Sequence, residues 1–277
     1  SEWGTPLNPE EFRKILEEDK QKEIKAVILT HSETSTGVIN DLEKISSYVQ
    51  EHNTALSIVD CVTSLGACNV PVDDWKLDVV ASGSQKGYMI PPGLSFIAMS
   101  QKAWEATEKS NLPKFYLNLK SYKKSLLSNS NPYTPAVNLV FALDEALKMM
   151  REEGLNNIFL RHNKHKLAII NAAKALDLKL FANEKYLSPS ITAIETEEID
   201  AEEFRKIIKN KFDILLAGGQ DHLKGKIFRV GHLGYINNRD IITVISAISS
   251  TLLNLGKIKA VQAGEALEIA SKYLDSK

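Results

Sequence analysis

Three short apolar runs constrain the fold of this chain more than any other feature. "AVILT" (Ala26–Thr30), "ALSIVD" (Ala55–Asp60) and "DVVAS" (Asp78–Ser82) are apolar along most of their length and give way to polar residues at the carboxyl end. Apolar runs without alternation are the mark of strands covered on both faces, as in parallel sheets flanked by helices. Between the first two, Asn40-Asp41 offers a helix start, and Leu42, Ile45 and Val49 fall on one helical face. A polar, helix-like segment over 9–25 precedes the first run, and "LSFIAMS" (Leu94–Ser100) follows the third as a further apolar strand. The alternation predicts an α/β layer with a mostly parallel sheet.

The order changes in the second half. A helical pattern from Asn138 to Glu153, carried by Leu139, Leu143, Ala146, Leu147 and Met150, stops at Gly154. Then come a helix, the strand "SITAIET", a helix around Phe204 to Ile208, the strands "DILLAGG" and "IFRVGHLG", and a long final helix. At 277 residues the chain can hold two cores, and the change predicts a large domain over 1–153 and a smaller α+β domain over 154–277. A net charge of -1 offers neither a nucleic-acid-binding stripe nor a membrane-surface face. No run of about 18 apolar residues is present, so no membrane span is expected. The two cysteines, Cys61 and Cys68, make neither a disulfide framework nor a metal-ligand set, and a reduced, cytoplasmic setting is the default.

Ligands of such sheets gather at the carboxyl ends of the strands. There this sequence keeps His31, Glu33, Thr34 and Ser35 after the first run, Asp60, Val62, Thr63 and Ser64 after the second, and Gly83, Ser84, Gln85 and Lys86 after the third. A lysine in a crevice can bind phosphate, form a structural ion pair or act as a nucleophilic amine. Enzymes that use pyridoxal phosphate need such a lysine together with an acid that keeps the pyridine nitrogen protonated. Asp60 and Lys86 fit those two roles, and they fit an ordinary ion pair equally well. Hydrolase and P-loop signatures fail: Gly83 to Gly87 reads Gly-Ser-Gln-Lys-Gly, and the glycines from Gly219 on have the wrong spacing. His31 and His232 read first as hydrogen-bonded structural groups, while His162 and His165, in a charged helical segment, read as solvated. The stretch "QDHLK", between Gly219 and Gly225, is a simple turn or a loop over the mouth of the site.

The motifs "THSETSTGVI", "IVDCVTSLG", "ASGSQKG" with "PPG", and "GKIFRVGHLG" resemble those of class V aminotransferases of fold type I. The branch is the alanine–glyoxylate and serine–pyruvate one, and the resemblance runs in order over essentially the whole chain. It implies a fold type I PLP-transferase, with a mostly parallel sheet in the large domain and a smaller C-terminal α+β domain. It implies that Lys86 carries pyridoxal 5'-phosphate covalently and later moves a proton between the amino acid's Cα and the cofactor. Asp60 then pairs with the pyridine nitrogen, Gln85 donates to the phosphate or the ring's substituents, and Val62 and Ser64 line the ring and its phosphate side. Thr34 is similar to the hydroxyl residue near the ring's O3', and Arg229 to the arginine that grips the substrate α-carboxylate.

"NPYTPAV" resembles the loop that reaches the partner's phosphate in the family's homodimer; Asn131, Tyr133 and Thr134 are the candidates, with Thr134 favoured. The implied reaction is ping-pong transamination from a small amino acid, alanine or serine, to glyoxylate or pyruvate. Aspartate or phosphonate aminotransfer, a cysteine desulfurase-like lyase and a non-catalytic piece of the fold stay open as alternatives. A desulfurase cysteine belongs on a mobile loop near the second domain, whereas Cys61 and Cys68 fall in the sheet region. The family's small-residue phosphate turn and ring-stacking aromatic have no counterpart in these residues, and Trp3 is not equated with the latter, so the large domain reads as incomplete at its N-terminal end.

Overall fold

The computed structural model describes residues 1–197 and 199–276. Helix α1 (Pro9–Glu18) leads to β1 (Ala26–Thr30), a hairpin of β2 (Ser32–Glu33) and β3 (Val38–Ile39), and α2 (Leu42–His52). Strands β4 (Leu56–Asp60), β5 (Val79–Gly83) and β6 (Ser95–Met99) follow, then helices α3 (Gln101–Lys109), α4 (Leu119–Leu127), α5 (Val137–Glu153) and α6 (Leu155–Ala175). The rest is β7 (Ile191–Glu195), α7 (Ala201–Phe212), β8 (Ala217–Gly218), β9 (Ile227–Gly231), α8 (Asn238–Asn254) and α9 (Ala260–Asp275).

The first sheet has the order β1-β4-β5-β6. β1, β4 and β5 run parallel, with Thr30 opposite Asp60 and Asp60 opposite Ala81, so their carboxyl ends lie side by side. β6 is antiparallel to β5. A parallel return would need a crossover of about a dozen residues or more. Here the chain turns back at once, because the Ser84 N–H donates to the Leu94 carbonyl at 3.0 Å and the Ser84 hydroxyl to that of Pro91 at 2.8 Å. Leu29, Val59 and Val80 pack with Leu42 and Ile45 into one core. The Asp41 side chain caps α2 by accepting from the Lys44 N–H at 3.1 Å, which fixes that buried face where the sequence expects it. The expectation of strands covered on both faces fails at the sheet's edges: Ile28 on β1 is 75% exposed and Ile97 on β6 is 48% exposed.

The second sheet is antiparallel, ordered β7-β9-β8. Phe228 and Ile194 from it meet Phe204 and Ile208 of α7, Ile241 and Ile245 of α8, and Ala168 and Ile169 of α6. "DILLAGG" contributes only Ala217–Gly218 to this sheet, because the Leu216 carbonyl accepts from Arg205 Nε at 2.8 Å instead of from a strand. His162 and His165 correct their expectation too: both are buried, on the inner face of α6 with Ile158 and Ile169. The β2–β3 hairpin is stitched to this second half. The Ser188 N–H donates to the Gly37 carbonyl at 2.8 Å, the Ser32 and Ser188 hydroxyls share a 2.8 Å hydrogen bond, and a Cβ on Gly37 would lie 3.2 Å from the Ala193 nitrogen.

Candidate active site

Asp60 closes β4, and its side chain is exposed at the sheet's carboxyl edge. One carboxylate oxygen accepts from the Val62 N–H at 2.8 Å, a short turn that holds the group in place. Its second oxygen has no hydrogen bond among the described residues. The next turn brings Lys86 close by a backbone route. A Cβ on Gly87 would overlap the Leu65 carbonyl oxygen, and one on Gly66 would lie 3.0 Å from the Gly87 Cα. Gly66 also has φ +81, a conformation that disfavours a side chain. Two glycines therefore let the loop after β5 sit directly on the loop after β4. Lys86 is half-buried, and its amine has no hydrogen bond or ion pair among the described residues. Gln85 beside it is exposed.

Arg229 on β9 reaches the turn that joins β2 to β3. Its Nη1 donates to the Thr34 carbonyl at 2.6 Å and its Nε to the Gly218 carbonyl at 2.8 Å, leaving Nη2 without a partner among the described residues. Burial pulls the Arg229 pKa down from the ordinary guanidinium value, and the nearby Glu33 carboxylate works against that pull. Glu33 is itself occupied, accepting from the Ser35 N–H at 2.8 Å and the Ser35 hydroxyl at 2.7 Å. A cavity of about 570 Å³ opens on the Asp60 side, lined also by Thr30, Glu33, Ser35 and Trp3; neither Lys86 nor Arg229 lines it. Trp3 stands edge-on to His222, with ring centroids 4.3 Å apart, and His222 lies in the single helical turn Asp221–Leu223 of the "QDHLK" loop.

Other expected residues lie elsewhere. Ser64 is fully buried, with its hydroxyl 3.5 Å from the Cys61 carbonyl, so it faces the turn rather than the crevice. Tyr133 donates to the Phe115 carbonyl at 3.1 Å and packs on Tyr116, while Thr134 is exposed; neither touches the strand ends. His31 is buried with a T-shaped contact to Trp75 at 6.1 Å, and burial pushes its pKa down to about 4. His232, also buried, shares a 3.0 Å hydrogen bond with Thr192. Burial pushes the Cys61 thiol up to about 11 and Cys68 up to about 12, which leaves neither with thiolate character near neutral pH. Among the described residues no helix is long and apolar enough to cross a membrane.

The profile of the family described as Aminotransferase class-V matches residues 6–245. The chain belongs to the class V aminotransferase family. Its cofactor is pyridoxal phosphate, and the residues present fit that group: among the described residues the Lys86 amine and one Asp60 carboxylate oxygen have no partner, and the Arg229 guanidinium is only partly occupied. Relatives of this class V chain carry different names. It is 58% identical over 256 residues to the soluble hydrogenase 42 kDa subunit of Anabaena cylindrica, covering 92% of this chain and 67% of that one. It is 36% identical to the serine–glyoxylate aminotransferase of Methylorubrum extorquens, over 99% of this chain and 69% of that one. Among solved structures, the ureidoglycine–glyoxylate aminotransferase of Bacillus subtilis matches with a TM-score of 0.90 at 32% identity, covering all of this chain and 71% of the other. The chain thus spans about two thirds of the length of the curated relatives it matches.

Proposed function

We propose that this chain serves a transaminase that moves the amino group of alanine or serine to a 2-keto acid, glyoxylate or pyruvate. One observation carries the reading: the Gly66–Gly87 contact holds the loop after Asp60 and the loop that carries Lys86 together at one sheet edge, while Arg229 of the second sheet is bonded to the Thr34 carbonyl just beyond the end of β1. Each of the three side chains has bonding capacity left over among the described residues. The glyoxylate-named relatives support the acceptor. When bound, pyridoxal phosphate supplies an electron-poor ring that takes up the electron pair left by the departing Cα proton. Lys86 would hold the cofactor covalently, and its amine, when uncharged, would take up the Cα proton and return one. Asp60, steadied by Val62, keeps a proton on the ring nitrogen with its free oxygen. Gln85, with its exposed side chain, donates to the phosphate or a ring substituent, and Thr34 serves through its hydroxyl as its carbonyl fixes Arg229. Nη2 of Arg229 leads the grip on the substrate carboxylate.

Homodimerisation follows in the same reading. Exposed apolar side chains, among them Leu112, Phe115, Leu117, Leu127 and Phe141, flank Tyr133 and Thr134 along the chain, and Phe115 packs on Tyr133; in this reading Tyr133 and Thr134 face a partner's phosphate rather than their own crevice. The raised thiols of Cys61 and Cys68 favour aminotransfer over a desulfurase. Division of the chain at Gly154, where α5 ends and α6 begins, is part of the proposal. Borohydride reduction of the cofactor-loaded protein, followed by peptide mass analysis, is the test. The added mass is expected on Lys86 and is expected to vanish in Lys86→Ala; a label on another lysine would overturn the reading. Hydrogen-dependent dye reduction, assayed alongside, is expected to be nil and unaffected by Lys86→Ala.

A further inference from the structure

The segment after Arg229 turns back under the lysine loop. Gly234 is buried there with φ +88, and a Cβ on it would lie 3.3 Å from the Lys86 carbonyl oxygen and 3.6 Å from Met89 Cγ. Both polar groups of Gly234 are taken by consecutive residues of α6. The Gly234 N–H donates to His162 Nε2 at 3.1 Å, and Arg161 Nη1 donates to the Gly234 carbonyl at 2.9 Å and to that of Ile236 at 3.1 Å. Each of those two side chains is fixed from behind. His162 Nδ1 donates to the Ile158 carbonyl at 2.7 Å, which leaves Nε2 as an acceptor, and Arg161 lays its Nε and Nη2 on the two Glu153 oxygens at 2.6 and 3.0 Å. The neutral ring suits its place: His162 is 1% exposed, and burial pushes its pKa down to about 4.

We propose that Arg161 and His162 are positioning residues, which clamp Gly234 beneath the Lys86 loop and so fix the separation between the lysine and Arg229. Gly234 is five residues from Arg229 and directly against the Lys86 backbone, so a shift at Gly234 moves the carboxylate grip and the proton-carrying amine relative to each other. Toward Gly234, His162 acts as an acceptor and not as a proton carrier. The proposal rests on the roles given above to Lys86 and Arg229.

The test is amide hydrogen exchange on the full-length protein without cofactor, with steady-state kinetics on the loaded enzyme. The amides of Met89 and Ile90, which donate to the Lys86 and Ser84 carbonyls at 3.0 and 3.3 Å, report the lysine loop. His162→Phe keeps a ring but leaves the Gly234 N–H unpaired, and Arg161→Met takes the guanidinium off the Gly234 and Ile236 carbonyls, leaving the Gly234 oxygen only the Ile236 N–H at 2.9 Å; each is expected to speed exchange about tenfold both over 229–236 and over 84–90, with α8 unchanged. In the loaded enzyme kcat is expected to fall and the amino-acid KM to rise. His162→Gln, whose amide oxygen reaches the Nε2 position, is expected to restore most of both. Exchange that quickens over 229–236 alone overturns the proposal, as does a rise spread through α8 or a His162→Gln no better than His162→Phe. Where a variant fails to fold, Gly234→Ala probes the contact from its other side, with the same two segments expected to loosen. These exchange results stand whether or not borohydride labels Lys86, so the clamp and the assignment of the lysine fail separately.

Discussion

Gly87→Ala would put a methyl group where the Leu65 carbonyl oxygen already lies, with the Gly66 Cα 3.0 Å away. The overlap with that oxygen is more than about 1 Å beyond ordinary contact. Both obstacles are backbone, so no rotamer change relieves it, and the lysine loop must lift off the loop that follows Asp60. Overpacking of this kind costs about 1–3 kcal/mol, which for a chain of this size lowers Tm by roughly 2–4 °C for each kcal/mol. The larger effect falls on the reaction, since a displacement of about 1 Å in a reacting group costs on the order of 10²-fold in rate. Initial rates with alanine and glyoxylate, measured beside thermal melts, read both. Gly264→Ala serves as the control: it lies within α9 with nothing within 4 Å of its Cβ, so its Tm is expected to hold or rise slightly. A Gly87→Ala protein with unchanged kcat and unchanged Tm would refute the argument that this contact sets the lysine's place.

Asp60→Asn keeps the shape of the turn but removes the negative charge, and kcat is expected to fall by more than about 10²-fold while the thermal melt stays put. Arg229→Lys retains the charge and loses the planar fork, so the KM for the amino acid and for the keto acid is expected to rise about 10- to 100-fold together. Burial holds the pKa of both His31 and His162 down at about 4, so the unfolded chain binds more protons than the folded one between that value and about 6.5, and stability is lost as the pH falls through that window. By pH 5 the loss is expected to reach roughly 2 kcal/mol per histidine, visible as a falling urea midpoint; a midpoint flat from pH 7 to 5 would contradict it. The folded protein is expected to react slowly with a thiol reagent at pH 7.5 and to do so without loss of activity, since both thiols are raised by burial.

The positions of Asp60 and Lys86, at the end of β4 and just beyond β5, were legible because an apolar strand leaves little choice about where its polar end must go. The rest of the crevice was less so, for reasons that differ by residue. Thr34 stands out in the sequence as a hydroxyl, yet its backbone carbonyl is what meets Arg229, and carbonyls carry no residue signature. Ser64 sits two residues beyond Val62 in a turn that folds inward, which a linear spacing does not reveal. Charged neighbours hid His162 and His165, although Ile158, His162, His165 and Ile169 recur at helical spacing and share the buried face. That periodicity was the available signal. Among the elements, the β2–β3 hairpin has only two residues in each strand, too few for any alternation to register. Helix α4 spaces Leu119, Tyr122 and Leu126 at helical intervals, a signal present in the sequence, although none of its residues is buried.

The stitching of the β2–β3 hairpin to Ser188 and Ala193 bears on how such chains can be recombined. Residues 32–39 belong by chain order to the first half, but through Gly37, Ser32 and the Thr34 carbonyl they are wedded to the second sheet and to Arg229. A chimera cut at Gly154, taking everything beyond it from a relative, would inherit the arginine without the loop that aims it. Grafting the donor's residues 32–39 together with its C-terminal half keeps that grip intact, so the unit of exchange is discontinuous in sequence.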